Sequence, residues 1–454
     1  MLESTIKEWV SAVQKDPSIP EAAHSLALSD CEKLESGSNI GHTGYLRLRT
    51  VWYCYNTGPR MLATLITGNE RTEYQGYVHP ALHSEAERLV KQASSGMHSR
   101  LGYYLDEMHR SSGDARYLYP ETECGFFSAV RYWQAMTATH VKTDRSVVSK
   151  ISISPGSASN NQTVVTPPRN DTHRNAQNSA SVDETYVNTA LLLLLQGVCQ
   201  EFKQPLRPLH WVPPRMALHV KVPGSAGKKK ELLEARVDGY LCGLVEVPGT
   251  KSRFTNPKAI CEAKAAVRKS HRTEIERQES AEMAAWISSD RGAGELLQTS
   301  ASGRRRRLMV SQDRDEIYII IGEYGEEYER YIQGLEPKHV IPPINTQNAD
   351  PADRSAAFQD SLGSPTFLLR LKGQHGLKKN VIEGWGAEEL GAVNSEPQTD
   401  VRRSDRIVGG KSDPEYFSAD RCLIMHRFGP WETSDPEHMK DLVTQLLALM
   451  LQLN

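Results

Sequence analysis

No C-x-x-C pair occurs in this chain, whose seven cysteines (31, 54, 124, 199, 242, 261 and 422) are odd in number and widely scattered. That excludes a disulfide framework and a zinc knuckle, and it fits a reducing compartment. Long hydrophobic runs are missing too. The leucine-rich "ALLLLLQGV" (190–198) falls well short of the roughly 18 apolar residues that span a membrane. The opening "MLESTIKEWVSAVQKD" carries acids early and has no apolar core of a secretory signal. The expectation is a soluble intracellular protein, nuclear or cytoplasmic, with no membrane partner. Apolar residues are scarce overall, 39% of 454, so part of the chain is expected to stay outside any core. No internal repeat is visible.

The formal net charge of −2 hides an uneven distribution. Between Lys203 and Gln312 there are 21 Lys+Arg against 11 Asp+Glu, which leaves 33 against 45 for the rest. A concentrated positive field favours a polyanionic partner; the plainer alternative is that Lys228–Lys230 and Arg304–Arg307 are solvated loops.

Length allows two domains or one large domain with appendages. Residues 1–140 read as a mainly helical N-terminal region without evident chemistry and with an unidentified partner. Residues 141–180 are polar and rich in Pro, Ser and Asn, a linker too poor in apolar residues to order itself. Order resumes at 181–454. Ser181 and Glu184 fit a capping box ahead of a helix of about five turns. Strands follow at 215–224, 234–245, 259–267, 306–313 and 315–324, with a helix over 272–290 between the third and fourth. A helix at "EYGEEYERYIQ", polar loops near 340–365 and 385–420, a strand at 366–373 and a final helix from Pro436 complete the order. Helix, strands, helix, strands describe an α/β core.

Three E-x-K triplets occur, Glu201/Lys203, Glu262/Lys264 and Glu336/Lys338. Only the middle one, in "AICEAKAAV", has strand context. Strand side chains alternate with period two, so Glu262 and Lys264 share a face. They fit an ion pair on an edge strand or the rim of an active site. The preceding strand supplies Asp238 in "ARVDGYLCGL", a residue type disfavoured inside strands. Across a hairpin, Asp238 and Glu262 face each other and can share a cation. Mg²⁺ or Mn²⁺ takes such hard oxygen ligands.

The order Asp238, a loop, Glu262-x-Lys264 on the next strand, then a helix carrying Gln278 resembles the PD-(D/E)XK nuclease superfamily, and most of all its fungal nuclease-like branch. "MVSQDRDEIYIIIGEYGEEYERYI" and "FGPWETSDPEHMKDLVTQLLALML" look like that branch as well. The likeness covers 181–330 well and 366–454 loosely, and Val237 stands where the motif's Pro would precede Asp238. It implies a restriction-endonuclease-like core, a mixed central sheet flanked by helices. It also implies Mg²⁺ or Mn²⁺ held by Asp238 and Glu262, Lys264 assisting the nucleophile, Gln278 supporting the site, and Glu184 as a further acid on the preceding helix. The activity implied is metal-dependent hydrolysis of phosphodiester bonds in nucleic acid, DNA foremost.

Each residue also has a plainer explanation. Asp238 suits a turn before Gly239, Glu184 is half of the capping box, and Gln278 suits a solvated helix face. Arg268, Lys269 and Arg272 follow the strand and fit either phosphate contact or a solvated loop. The rival functional reading is a catalytically weak or inactive nuclease fold that holds nucleic acid or a protein. A third gives the interaction to the N-terminal region, with the sheet as scaffold.

Overall fold

The computed structural model describes residues 2–19, 28, 31–56, 58, 61, 68–69, 74–95, 99–111, 125–139, 172–207, 209–224, 227–245, 253–289, 303–335 and 418–454. Its helices are α1 (Ile6–Lys15), α2 (His42–Arg47), α3 (Pro80–Ser95), α4 (Arg100–Ser111), α5 (Phe126–Thr139), α6 (Thr172–Glu201), α7 (Arg268–Ser289), α8 (Glu326–Ile332) and α9 (Pro436–Leu453). Its strands are β1 (Thr50–Tyr55), β2 (Gly68–Asn69), β3 (Tyr74–Gln75), β4 (Leu209–Val212), β5 (Met216–Pro223), β6 (Lys229–Val237), β7 (Gly239–Val245), β8 (Arg253–Phe254), β9 (Ala259–Lys264), β10 (Arg305–Asp313), β11 (Glu316–Tyr324) and β12 (Leu423–Glu432). One compact unit comprises Met1–Pro337 and Glu415–Asn454; the other, Lys338–Pro414, lies outside the described residues.

The protein is mixed α/β. Its main sheet runs β1-β12-β11-β10-β9-β7-β4, with β8 on β7. The β1–β12 and β9–β10 pairs are parallel, and the other pairs of this sheet are antiparallel. β11, "EIYIIIGEY", lies between β10 and β12, and every residue from Ile317 to Tyr324 is buried. Its apolar, β-branched run from Ile317 to Ile321 suits a central strand that is buried along its length. A separate two-stranded ribbon, β5–β6, packs on α7. α9 is capped by Asp435, whose side chain accepts from the backbone N–H of Glu437 and His438 at 2.8 and 3.1 Å. Pro436 occupies its first turn, where the missing N–H costs nothing.

Four expectations need correction. The text 234–245 is two strands, broken at Asp238, where the chain leaves the ribbon and enters the main sheet. α6 starts at Thr172, so Ser181 lies inside the helix and is not its cap. Residues 50–55, placed in the helical N-terminal region, form the outermost strand beside β12. β12 itself went unanticipated, because His426, Arg427, Gly429 and Pro430 break any strand-like pattern in its text. β1, α3 and α4 contact β12 or α9, so the N-terminal segment shares the core of the rest. Most of the linker (141–171), the strand at 366–373 and nearly all of the two polar loops lie outside the described residues.

Candidate active site

β9 is flanked by β7 on one side and β10 on the other. In the β7–β9 ladder Gly239 pairs with Cys261, Tyr240 with Ile260 and Leu241 with Ala259. One step further the same register brings Asp238 opposite Glu262. The Asp238 N–H donates to the Cys261 carbonyl at 3.1 Å, and the Ala263 N–H donates to Asp238 Oδ2 at 3.1 Å. The carboxylate thus sits in the ladder as an extra acceptor, at the corner where β6 ends. The next residue must be small: a Cβ on Gly239 would lie 2.7 Å from Leu192 of α6 and 3.0 Å from the Cys261 sulfur.

Cys261 faces α6, so Glu262 and Lys264 face the opposite layer, where α7 lies. Lys264 Nζ donates to Glu262 Oε1. Gln278 Nε2, on α7, donates to Glu262 Oε1 at 2.9 Å and to Glu282 Oε1 at 2.8 Å. Ala281, Ala284 and Ala285 are buried and let the helix approach the sheet. Asp238 and Glu262 are 3% and 2% exposed. On α6, Glu184 meets Arg215, which also reaches Asp238: Arg215 Nη2 stands 3.3 Å from Glu184 Oε1 and 3.0 Å from Asp238 Oδ1. Asp238, Glu262, Lys264, Gln278 and Glu184 therefore join one locus.

Glu282 and Arg215 were missed by sequence reasoning. Glu282 lies one helical turn beyond Gln278, and that i, i+4 spacing was the available signal. Arg215 follows Pro213 and Pro214, a text that says nothing of what the guanidinium meets.

Burial pushes the Glu262 carboxyl up to about 8; the charges of Asp238 and Glu184 add to the rise and Lys264 opposes it. Burial, then Glu262, drives Glu282 well up. For Lys264 burial would lower the pKa, but the carboxylates of Glu262, Glu282 and Asp238 outweigh it and raise it. Lys264 is thus held as an ammonium and not as a free base. The second oxygens of Glu262 and Glu282 are buried with no hydrogen-bond partner. Orphaned buried carboxylate oxygens are costly. As hard donors they suit a small divalent cation, so this acid set fits Mg²⁺ or Mn²⁺.

A stability consequence follows. Acids with raised native pKa bind more protons folded than unfolded, so their contribution to stability is greatest below the ordinary carboxylate range and is lost as pH climbs to about 8. In urea titrations with EDTA, the wild type is expected to lose stability relative to Glu262→Gln/Glu282→Gln by on the order of 2 to 4 kcal/mol between pH 5 and pH 8. Parallel curves for the two proteins would remove the raised acids.

The proposed phosphate contacts are placed differently. Arg268 is 2% exposed and engaged by Glu279 and Asp313, so it is not a surface cation. Arg272 is half-buried and donates to Glu276 at 2.8 Å and to the Cys54 sulfur at 3.1 Å. Lys269 alone of the three is exposed. The arginine run is no solvated loop: Arg304, Arg306 and Arg307 are buried. Arg304 and Arg306 flank the Glu323 carboxylate at 3.1 and 3.0 Å, and Arg307 donates to the Tyr324 hydroxyl at 2.9 Å. These charges neutralise internal acids, so the positive field inferred from counting overstates what reaches solvent.

Among the described residues another group of possible ligands, His219, Glu231 and Glu234, lies on the β5–β6 ribbon, but Lys221 and Arg236 already pair with its acids. No helix among the described residues is long and apolar enough to cross a membrane. Comparison with known proteins finds no matching family model and no matching curated protein.

Proposed function

We propose that this protein is a metal-dependent phosphodiesterase of nuclease type, built on a restriction-endonuclease-like core and acting on nucleic acid, with DNA the first substrate to try. The observation that carries the reading is the convergence on one strand corner of Asp238, Glu262, Lys264 and Gln278, contributed by the β6–β7 junction, β9 and α7. A mixed sheet with α6 on one face and α7 on the other accords with it.

Glu262 and Asp238 would hold a Mg²⁺ or Mn²⁺, with Glu184 as a further acid at the mouth. The ion supplies Lewis acidity toward a phosphoryl oxygen and an acidified water. Lys264 stays protonated, so it stabilises negative charge on the phosphorus-bound oxygens and orients the attacking water. Gln278, with its amide nitrogen shared between two acids, fixes the rotamer of Glu262. Substrate approaches over Arg215 and Glu184, the exposed side of the locus. With the arginine run buried, no array of side chains among the described residues suggests base-specific readout.

A second reading, a weak or inactive nuclease fold that grips nucleic acid or a protein, draws on one observation. Both Asp238 oxygens are engaged, Oδ1 by Arg215 and Oδ2 by the Ala263 N–H.

The deciding experiment incubates the full-length protein with labelled single- and double-stranded DNA in Mg²⁺, Mn²⁺ or EDTA, beside Lys264→Ala. Cutting that requires the ion and falls by about 10²- to 10³-fold in the variant is expected. Binding without cutting, the same in both proteins, would favour the second reading.

A further inference from the structure

Arg215 is the feature of this locus that no ligand set accounts for. It sits on the short link between β4 and β5, directly after Pro213 and Pro214, whose fixed φ angles limit where the link can go. Its side chain is 60% exposed, yet a single nitrogen, Nη2, stands 3.0 Å from Asp238 Oδ1 and 3.3 Å from Glu184 Oε1. A positive charge therefore already lies between two carboxylates that come from different elements, the β6–β7 corner and α6. Asp238 Oδ2 is committed to the Ala263 N–H, so Oδ1 is the oxygen left for a cation, and Arg215 holds it.

We propose that Arg215 is a displaceable internal counter-ion: it occupies the cation-facing oxygens of Asp238 and Glu184, must yield them when a divalent ion binds, and then turns its guanidinium to the phosphate of the incoming strand. This rests on the nuclease reading above and adds a competitor to it. The physical grounds are those of an ion pair whose cationic end is exposed. Two cations cannot share the same oxygen cheaply, and a pair with an exposed arginine is weak enough to be broken by a doubly charged ion. Guanidinium also matches a phosphate's paired oxygens better than an ammonium does, so the freed side chain gains a partner of the kind it lost. An arginine fixed by burial could not make this exchange, as Arg268 illustrates.

The test uses the full-length protein and two readouts besides activity. Mn²⁺ affinity is measured by calorimetry or by the spectrum of free Mn²⁺ for wild type, Arg215→Ala and Asp238→Asn. Binding of a phosphorothioate oligonucleotide is measured against salt in Mn²⁺ for wild type, Arg215→Ala and Arg215→Lys. Arg215→Ala is expected to bind Mn²⁺ about three- to tenfold more tightly, because two competing pairs are gone. It is expected to bind the oligonucleotide more weakly, with a salt slope smaller by about one. Arg215→Lys should recover part of the oligonucleotide affinity.

Unchanged or weaker Mn²⁺ binding in Arg215→Ala, while wild type binds the ion and Asp238→Asn loses it, overturns the counter-ion role and leaves the nuclease reading standing. If wild type and Asp238→Asn behave alike toward Mn²⁺, both the counter-ion role and the metal site fail. Tighter Mn²⁺ binding without any loss of oligonucleotide affinity overturns the transfer to phosphate.

Discussion

Arg268→Ala is expected to cost about 3 to 5 kcal/mol of stability, because it leaves two carboxylates buried without their cation. Arg268 Nη1 donates to Glu279 Oε2 at 2.8 Å, Nη2 reaches the other Glu279 oxygen and, at 3.1 Å, the Ser311 hydroxyl, and Nε donates to Asp313 Oδ2. Its guanidinium carbon stands 4.3 Å from the centre of the Tyr318 ring. Asp313 and Glu279 are both fully buried. Even with the arginine present, burial pushes the Asp313 carboxyl up to about 6, with Glu279 adding to the rise and Arg268 opposing it. Removing the arginine drives that acid to take up a proton, and leaves the Glu279 carboxylate buried without its cation.

A loss of this size is a large part of the 5 to 15 kcal/mol that holds a typical domain together, and should lower the melting midpoint by roughly 10 °C. Lysine is a poor replacement, because it cannot reproduce a fork that meets two acids, a hydroxyl and a ring at once. Adding Asp313→Asn to Arg268→Ala should recover part of the loss. Thermal and urea unfolding check this. A change below about 0.5 kcal/mol, together with a reduced salt slope for DNA binding, would return Arg268 to the role of phosphate contact.

On the proposed nuclease reading, Lys264→Ala should lower kcat for DNA cleavage by about 10²- to 10³-fold with a small change in KM, the pattern of a charge that stabilises the transition state more than the bound substrate. It has a second, signed consequence. The Lys264 ammonium opposes the rise in the Glu262 pKa, so its removal raises that pKa further and keeps the acid protonated to higher pH. The acidic limb of the pH–rate profile should therefore move upward in the variant, and metal affinity near neutral pH should fall. A merely structural lysine would lower stability without moving that limb. Rates that change in proportion to the folded fraction, with the same pH profile, would take Lys264 out of the reaction.

The local chemistry of the locus was legible in the text. Glu262 and Lys264 show a shared face by their spacing alone, and "EIYIIIGEY" can hardly be anything but a strand buried on both faces. Asp238 stood out as an acid between apolar neighbours. In "RTEIERQESAE", by contrast, every acid and the glutamine look alike, as residues of a solvated helix. Glu276, Glu279 and Glu282 are in fact buried. Nothing local shows that they are buried, because that depends on what packs against the helix: Arg427 of β12 meets Glu276, Asp313 of β10 shares the Arg268 guanidinium with Glu279, and Glu262 of β9 shares the Gln278 amide with Glu282.

The same reason hid β12. His426 and Arg427 look like interruptions, but in the sheet the imidazole stacks with Tyr53 and Tyr55 of β1 and the guanidinium meets Glu276. It also misled the reading of Arg304–Arg307: Arg304, Arg306 and Arg307 meet Glu323 and Tyr324 of β11 across a hairpin, and Arg305 meets Glu329 of α8. Hydrophobic periodicity and strand spacing are properties of neighbours along the chain, so the sequence by itself determined the α/β class, most element positions and the Glu262/Lys264 pair. Which charges are solvated and which are locked inside depends on what long-range packing brings against them. Only the tertiary structure could decide that Arg268 is core, that Glu282 shares an amide with Glu262, and that Arg215 stands between Asp238 and Glu184.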